Sequence, residues 1–175
     1  MINIRQANTD EYDAVEKFYS ELIDAMRGSE FRPDWEMGIY PTRRQLEDAI
    51  ITKTLYLAFL ENEPAAAMIL NHDCEPEYDG VKWQTDAKRE EIMIIHLLGV
   101  SPAHQGKGVA RQMVSFVIDK CKNSSIKAIR LDVLKKNTPA ARLYASMGFR
   151  YIDSVKIYYE DTGLTDFLLY EFLIH

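Results

Sequence analysis

The sequence has little of several features that mark specialised proteins. It contains two cysteines, Cys74 and Cys121, which are too few and too far apart for a disulfide framework or a metal cluster. Acidic residues outnumber Lys and Arg by 27 to 21, and a net charge of −6 provides no basic surface for nucleic acid or an anionic membrane. We therefore predict reduced thiols, no metal and no nucleic-acid partner.

Long hydrophobic runs are also missing. No stretch approaches the roughly 18 apolar residues of a membrane span, and the N-terminus lacks a signal-peptide profile. We therefore expect a cytoplasmic protein without a membrane partner. A length of 175 residues suits one domain, and neither an internal repeat nor a linker divides the chain, so we predict a single domain over residues 1–175.

Hydrophobic periodicity predicts strands and helices in the order βααββ, then β-loop-α-β-α-ββ. In the first half, Asn8 and Thr42 are expected to cap two helices, and a hairpin surrounds "ENEP". In the second half, Thr138 is expected to cap a short helix with Pro139 in its first turn. The other predicted elements are a buried strand "EIMIIHLLGV", a helix over 108–122, a strand "IKAIRLDVL", strands near 149–158 and 167–174, and a loop over 71–90.

A glycine-rich loop, "HQGKGVA", lies between the buried strand and the helix over 108–122. Backbone N–H groups in such a loop, followed by a helix N-terminus, form a natural anion site. A P-loop requires Ser or Thr after Gly-Lys, but Lys107 is followed by Gly108. A dinucleotide fingerprint requires a small residue where Arg111 stands. The loop therefore predicts an anion site of neither class, and a nucleotide-phosphate enzyme is disfavoured.

Two motifs resemble those of the GNAT superfamily of acyl-CoA N-acyltransferases. "HLLGVSPAHQGKGVA" resembles its acetyl-CoA-binding motif, and the matching residues are Leu98, Val100, Pro102, Gln105, Gly108 and Ala110. "NTPAARLYASMGF" resembles its second signature, and the matching residues are Asn137, Ala140, Leu143, Tyr144, Gly148 and Phe149. The two motifs stand at the separation expected for the superfamily, with a strand between them, and cover only residues 97–149.

This resemblance implies a fold and a co-substrate. The fold is α/β (α+β), with a mixed, mostly antiparallel sheet of about seven strands, splayed at strands 4 and 5 and flanked by about four helices. The co-substrate is acetyl-CoA, with its pyrophosphate on the loop amides and its pantetheine arm paired with the buried strand. The implied cofactor-binding residues are Leu98, Gly99, Val100, Gln105, Gly106, Lys107, Gly108, Val109, Ala110, Asn137 and Tyr144.

The resemblance also implies direct transfer of an acetyl group to a primary amine. Tyr144 matches the general acid that protonates the departing thiolate. An amine with a pKa of about 10 is protonated at pH 7, so a base must remove a proton, and Glu90, Glu91 and His96 are candidates. We expect Tyr144, Glu91 and His96 to form the catalytic set. The alternatives, solvated charges at a strand end and a core histidine, stay open at this point.

The acceptor is expected between the N-terminal helices and the C-terminal hairpin. Aromatic residues there would hold an apolar group or a cation, and acidic ones would attract an amine. The candidates are Phe31, Trp35 and Tyr40, with Asp34, Glu36, Asp73 and Glu75, facing 71–85 and 155–163. The sequence does not choose between a small-molecule and a protein amine. A non-catalytic acyl-CoA-binding module on the same fold stays open as an alternative function. The oligomeric state also stays open, because "FLLYEFLIH" could pair in a homodimer or be a central strand.

Overall fold

One seven-stranded sheet organises the computed structural model, which describes residues 2–175. Its strands are β1 (Asn3–Gln6), β2 (Leu55–Leu60), β3 (Glu63–Asn71), β4 (Ile92–Val100), β5 (Ala128–Leu134), β6 (Arg150–Tyr159) and β7 (Gly163–Leu173). The helices are α1 (Tyr12–Met26), α2 (Arg43–Ile51), α3 (Val109–Lys122) and α4 (Thr138–Ser146). Along the sheet the order is β1-β2-β3-β4-β5-β7-β6, and all neighbours are antiparallel except β4 and β5. This architecture confirms the predicted fold class.

The two faces of the sheet are covered by different elements. On one face, α3 buries an apolar stripe that includes Met113, Val114 and Val117, and α4 lies beside it. On the other face, α1 and α2 bury a separate cluster that includes Tyr19 and Leu46. The helical spacing of these side chains explains why each helix packs along one side only. The two faces of the sheet therefore carry separate hydrophobic clusters.

The sheet opens between β4 and β5, as predicted. Their parallel pairing joins Ile92–Ile94 to Ala128–Arg130, whereas β3 pairs with β4 as far as Val100. A bulge accompanies the divergence, because the register with β3 shifts by one residue and Leu97 adopts a φ of 52°. The Tyr19 hydroxyl donates a 2.8 Å hydrogen bond to the Leu97 carbonyl and anchors the bulge to α1. Beyond Ile94, the β4 edge facing β5 has no strand partner within residues 2–175.

Three sequence predictions about local structure need correction. The N-cap of α4 is Asn137 rather than Thr138, because the Asn137 side chain accepts a hydrogen bond from the Ala140 N–H at 3.3 Å. Helix α1 begins at Tyr12, after a turn, and Asn8 does not form the predicted capping box. One of the two expected hydrogen bonds is present, in which the Glu11 carboxylate accepts from the Asn8 N–H at 2.7 Å. The segment predicted as loop over 71–90 contains a 3-10 turn, Pro76–Gly80.

The C-terminal strand β7 is central. It pairs with β5 on one side and with β6 on the other, so both of its edges are occupied. The segment "FLLYEFLIH" was expected to be either a strand that pairs with a second copy of the chain or a central strand of the sheet. The structure supports the central strand. A homodimer paired through this strand would require one of these neighbours to leave, and we do not propose it.

Gly99 lies where β4 approaches Leu22 of α1 closely. A Cβ atom there would collide with Leu22 Cδ2 and lie 3.3 Å from Trp35 Cζ3. We expect Gly99→Ala to lower the free energy of unfolding by about 1–3 kcal/mol, measured by urea denaturation. Gly80→Ala is the control, because a Cβ there meets nothing within 4 Å. Equal free energies of unfolding for the two variants would contradict the close contact of Gly99 with Leu22 and Trp35.

Candidate active site

The glycine-rich loop forms one wall of an open groove. Gly106 and Gly108 adopt left-handed φ angles of 74° and 77°, and Gly108 is the N-cap of α3. We call the adjoining space, about 550 Å³, the loop groove. Its walls come from β4, the loop, α3 and α4 and include Leu98, Val100, Gln105, Gly106, Gly108, Val109, Ala110, Asn137, Ala140, Leu143 and Tyr144.

A second, smaller cavity of about 100 Å³ lies between the connection of α1 to α2, the strands β4 and β5, and the β6–β7 hairpin. We call it the aromatic cavity, and its walls include Trp35, Tyr40, His96, Leu98, Asp132, Asn137, Ala140, Tyr144, Tyr159, Asp161 and Phe167. Four residues line both spaces, namely Leu98, Asn137, Ala140 and Tyr144. The loop groove and the aromatic cavity therefore meet beside Tyr144, where β4 and β5 diverge.

Tyr144 is held by aromatic packing. Only 6% of the residue is exposed, and its ring contacts those of Phe149 and Tyr170 at centroid distances of 5.4 and 6.5 Å. Burial raises the pKa of the Tyr144 hydroxyl well above its usual value, and the negative charge of Asp132 adds to the effect. The hydroxyl is therefore protonated at neutral pH and able to donate to a developing anion.

Asp132 is a carboxylate inside the aromatic cavity that sequence reasoning missed. Its Oδ2 accepts a 2.8 Å hydrogen bond from the Tyr78 hydroxyl and a longer one, 3.5 Å, from the Tyr159 hydroxyl. Desolvation raises the pKa of Asp132 to about 6, Glu75 raises it further, and the two tyrosine hydrogen bonds oppose the increase. A carboxylate with such a pKa is ionised at neutral pH and accepts a proton more readily than an ordinary aspartate.

The segment that brings Tyr78 to Asp132 is fastened to the sheet by a buried ion pair. Arg130 Nε donates to Glu171 Oε1 at 2.9 Å, and Glu171 Oε2 accepts from the Gln84 N–H at 2.7 Å. The Arg130 guanidinium also lies over the Trp83 ring, 4.2 Å from its centroid. These contacts hold residues 78–84 against β5 and β7, which fixes the position of the Tyr78 hydroxyl.

Comparison with known proteins agrees with this geometry. The family model described as "Acetyltransferase (GNAT) family" matches residues 16–149. The chain belongs to the GNAT acetyltransferase family. The match spans both motifs, the opening between β4 and β5, and most of the residues that line the two cavities.

Individual relatives match only part of this GNAT chain, whereas solved structures match its whole fold. A mycothiol acetyltransferase from Renibacterium salmoninarum is 31% identical over 98 residues, 54% of this chain and 29% of that protein. The chain spans about half or less of the length of the curated relatives that it matches first. A GNAT-family acetyltransferase from Streptococcus agalactiae has a TM-score of 0.82 at 21% identity, covering 99% of this chain and 96% of that one. Salmonella typhimurium yncA, solved with acetyl-CoA, has a TM-score of 0.69 at 14% identity, covering 100% and 95%.

Most of the cofactor-binding residues predicted for this GNAT chain line the loop groove. Exceptions are Gly99, whose Cα faces α1, and Lys107, which is exposed at the loop tip. Asn137 lines the groove as well as capping α4. Their contacts with acetyl-CoA remain predictions.

The two predicted bases lie in different places. His96 lines the aromatic cavity, its Nε2 lies 2.9 Å from the Oδ1 of Asn71 outside that cavity, and desolvation lowers its pKa to about 4. Glu91 precedes β4, pairs with Lys127 at 2.8 Å, and accepts from the Lys88 N–H at 2.9 Å. The hydrogen bond from Lys127 lowers the pKa of Glu91. Glu91 is not among the described residues that line the aromatic cavity.

The predicted acceptor residues separate as well. Trp35 and Tyr40 line the aromatic cavity, whereas Phe31 lines the loop groove. Asp73 pairs with Arg89 at 2.8 Å, outside the aromatic cavity. Within residues 2–175, no group of three His, Cys, Asp or Glu side chains is placed to hold a metal ion. The helices described are all too short or too polar to cross a membrane.

Proposed function

We propose that this chain transfers the acetyl group of acetyl-CoA to a primary amine by direct attack. One observation carries the proposal: Tyr144 lines both the loop groove, which suits the donor, and the aromatic cavity, which suits the acceptor. The yncA neighbour, which has acetyl-CoA as its cofactor, supports acetyl-CoA as the donor. The reacting carbonyl would lie where the two spaces meet, between the acceptor amine and the Tyr144 hydroxyl.

The loop groove suits both charged and uncharged parts of the donor. Backbone N–H groups of the glycine loop and the N-terminus of the 14-residue helix α3 favour the pyrophosphate. The β4 edge beyond Ile94 offers backbone groups to the amides of the pantetheine arm. Asn137 uses its side-chain oxygen to cap α4, which leaves its amide N–H groups to donate to the same arm.

Asp132 is the base that we propose for the acceptor amine, in place of Glu91 or His96. A base works best when its pKa is close to the operating pH, and Asp132, at about 6, is closer than His96, at about 4. Glu91 is occupied by Lys127 outside the cavity. The carboxylate would take one proton from the ammonium, and the free amine would then attack the thioester carbon.

The bond changes balance within this site. A C–N bond forms and the C–S bond breaks, and the first proton removed from nitrogen goes to Asp132. The departing thiolate receives a proton from the Tyr144 hydroxyl, whose burial keeps it protonated. The acylated nitrogen loses its second proton as the C–S bond breaks, this proton restores the Tyr144 hydroxyl, and Asp132 releases its own proton to solvent. The products are an N-acetylated amine and CoA.

An assay of free CoA thiol tests the proposal against an amine panel, with acetyl-CoA binding measured in parallel by calorimetry. We expect thiol release that depends on both the chain and an amine. A non-catalytic acyl-CoA-binding module predicts tight acetyl-CoA binding without amine-dependent release. That result would contradict the proposed activity and support the module.

A further inference from the structure

The walls of the aromatic cavity carry two carboxylates, Asp132 and Asp161, and several aromatic rings. No Lys or Arg lies among its described wall residues, and His96 is neutral because its pKa is lowered. If this chain acetylates an amine as proposed above, Asp132 receives the reacting nitrogen and Asp161 is left unexplained. We propose that the acceptor carries a second cationic nitrogen, and that Asp161 binds it.

Asp161 has a buried oxygen atom that no protein group satisfies. It lies in the turn between β6 and β7, and its Oδ1 is shielded from solvent without a hydrogen-bond partner within residues 2–175. Burial raises the pKa of Asp161, the backbone N–H groups of Asp161 and Thr162 oppose the increase, and the negative charges of Asp34 and Glu36 add to it. Leaving a buried carboxylate oxygen unpaired is costly, and a cationic N–H group of a ligand would remove that cost.

The space between the two carboxylates is walled by aromatic rings. Tyr40 stacks on Tyr159 with a centroid distance of 5.7 Å and an interplanar angle of 27°. Burial is the main reason that the pKa of Tyr40 is raised, and the negative charges of Asp132, Glu75 and Asp161 add to it. Tyr40 lines the same cavity as Asp132 and Asp161. Methylene groups between two nitrogens would pack against these rings, while each nitrogen meets a carboxylate and a π face.

A neighbouring space adjoins Asp161, and in it Asp34 is already paired with Arg32 and Lys136. This outer cavity, about 480 Å³, shares Trp35 and Asp161 with the aromatic cavity and also contains Asp34 and Glu36. The two arginines that line it are already engaged, since Arg32 pairs with Asp34 at 2.6 Å and Arg27 with Asp24 at 3.0 Å. Asp161 therefore faces ligand space on both sides without an uncommitted protein cation.

The acceptor class that fits these walls is a linear alkyl diamine or a longer relative of it. One end would be acetylated beside Asp132, and the other would stay charged beside Asp161. A monoamine of equal length would satisfy Asp132 and the aromatic rings but leave Asp161 unpaired. The proposal thus predicts discrimination between two amines that differ only in the second nitrogen.

Steady-state kinetics with diamines of three to six carbons, each beside the monoamine of equal length, test this proposal. We expect at least one diamine to have a KM about tenfold or more below that of its monoamine. In Asp161→Asn, the KM of that diamine should rise about tenfold while the KM of the monoamine changes less than about twofold. Glu160→Gln removes the same charge from the same turn at an exposed position outside the cavity, and should leave both KM values unchanged.

Equal KM values for diamine and monoamine at every length in the wild-type chain would overturn the proposal. It would also be overturned if Asp161→Asn weakened both amines equally, because Asp161 would then act on the cavity as a whole. Calorimetric titration of the diamine into the CoA-bound chain separates this proposal from the proposed function. Diamine binding that Asp161→Asn weakens supports the subsite even without turnover, and binding that this variant leaves unchanged contradicts it.

Discussion

Asp132→Asn should reduce kcat/KM for amine acetylation by about 10²–10⁴-fold, the range expected for loss of a general base. Asparagine has nearly the same shape and its oxygen still accepts from the Tyr78 hydroxyl, now 2.8 Å from Asp132 Oδ2. The affinity for acetyl-CoA should therefore be retained, as measured by calorimetry. Asp153→Asn, an exposed position on β6, is the control and should retain full activity.

The pH dependence of the reaction reports on the same group. Because Asp132 must be ionised to accept a proton and its pKa is about 6, kcat/KM should fall as the pH decreases through that value. Tyr78→Phe removes a hydrogen bond that favours the charged form, so the acidic limb should move to higher pH. An acidic limb that stays in place in Tyr78→Phe, or that persists in Asp132→Asn, would assign the titration to another residue.

Tyr144→Phe should lower kcat by about 10²-fold or more while changing the acetyl-CoA dissociation constant little, because the ring keeps its packing and only the proton donor is lost. The packing against Phe149 and Tyr170 needs no hydroxyl, so the melting temperature should be nearly unchanged. Tyr151→Phe, half exposed at the sheet edge, serves as the matched control.

The outcome of that experiment separates the two functions considered for this fold. Unchanged turnover in Tyr144→Phe would remove the hydroxyl from the mechanism. A large loss of acetyl-CoA affinity with unchanged kcat would instead place Tyr144 in donor binding alone.

Much of the fold was predictable because the signals are local. The apolar spacing of α3 and the unbroken apolar run of β4 each depend on neighbouring residues, and both elements appear where they were predicted. Helix starts were less accurate. Thr138 and Asn137 are both good capping residues, and only the hydrogen bond from the Ala140 N–H shows which of them caps α4.

In the candidate site, too, residues defined by local motifs were predictable, and residues defined by distant partners were not. Tyr144 and the glycine loop belong to motifs that adjacent residues define, and the structure brings them to one groove. Asp132 stands inside a strand, and its tyrosine partners lie 54 and 27 residues away in the chain. The one available signal was an acidic residue within a largely apolar strand, "IKAIRLDVL", which also contains Lys127 and Arg130. Without its partners, that signal did not identify a base.

The most direct test of the account is a crystal structure of the chain with CoA bound. We predict that the pyrophosphate lies on the loop amides between Gln105 and Ala110, and that the pantetheine arm follows β4 beyond Ile94. The sulfur should lie within hydrogen-bond distance of the Tyr144 hydroxyl, with the aromatic cavity and Asp132 on the opposite side of the reacting carbon. A cofactor that lies outside the opening between β4 and β5, or a sulfur remote from Tyr144, would contradict the account.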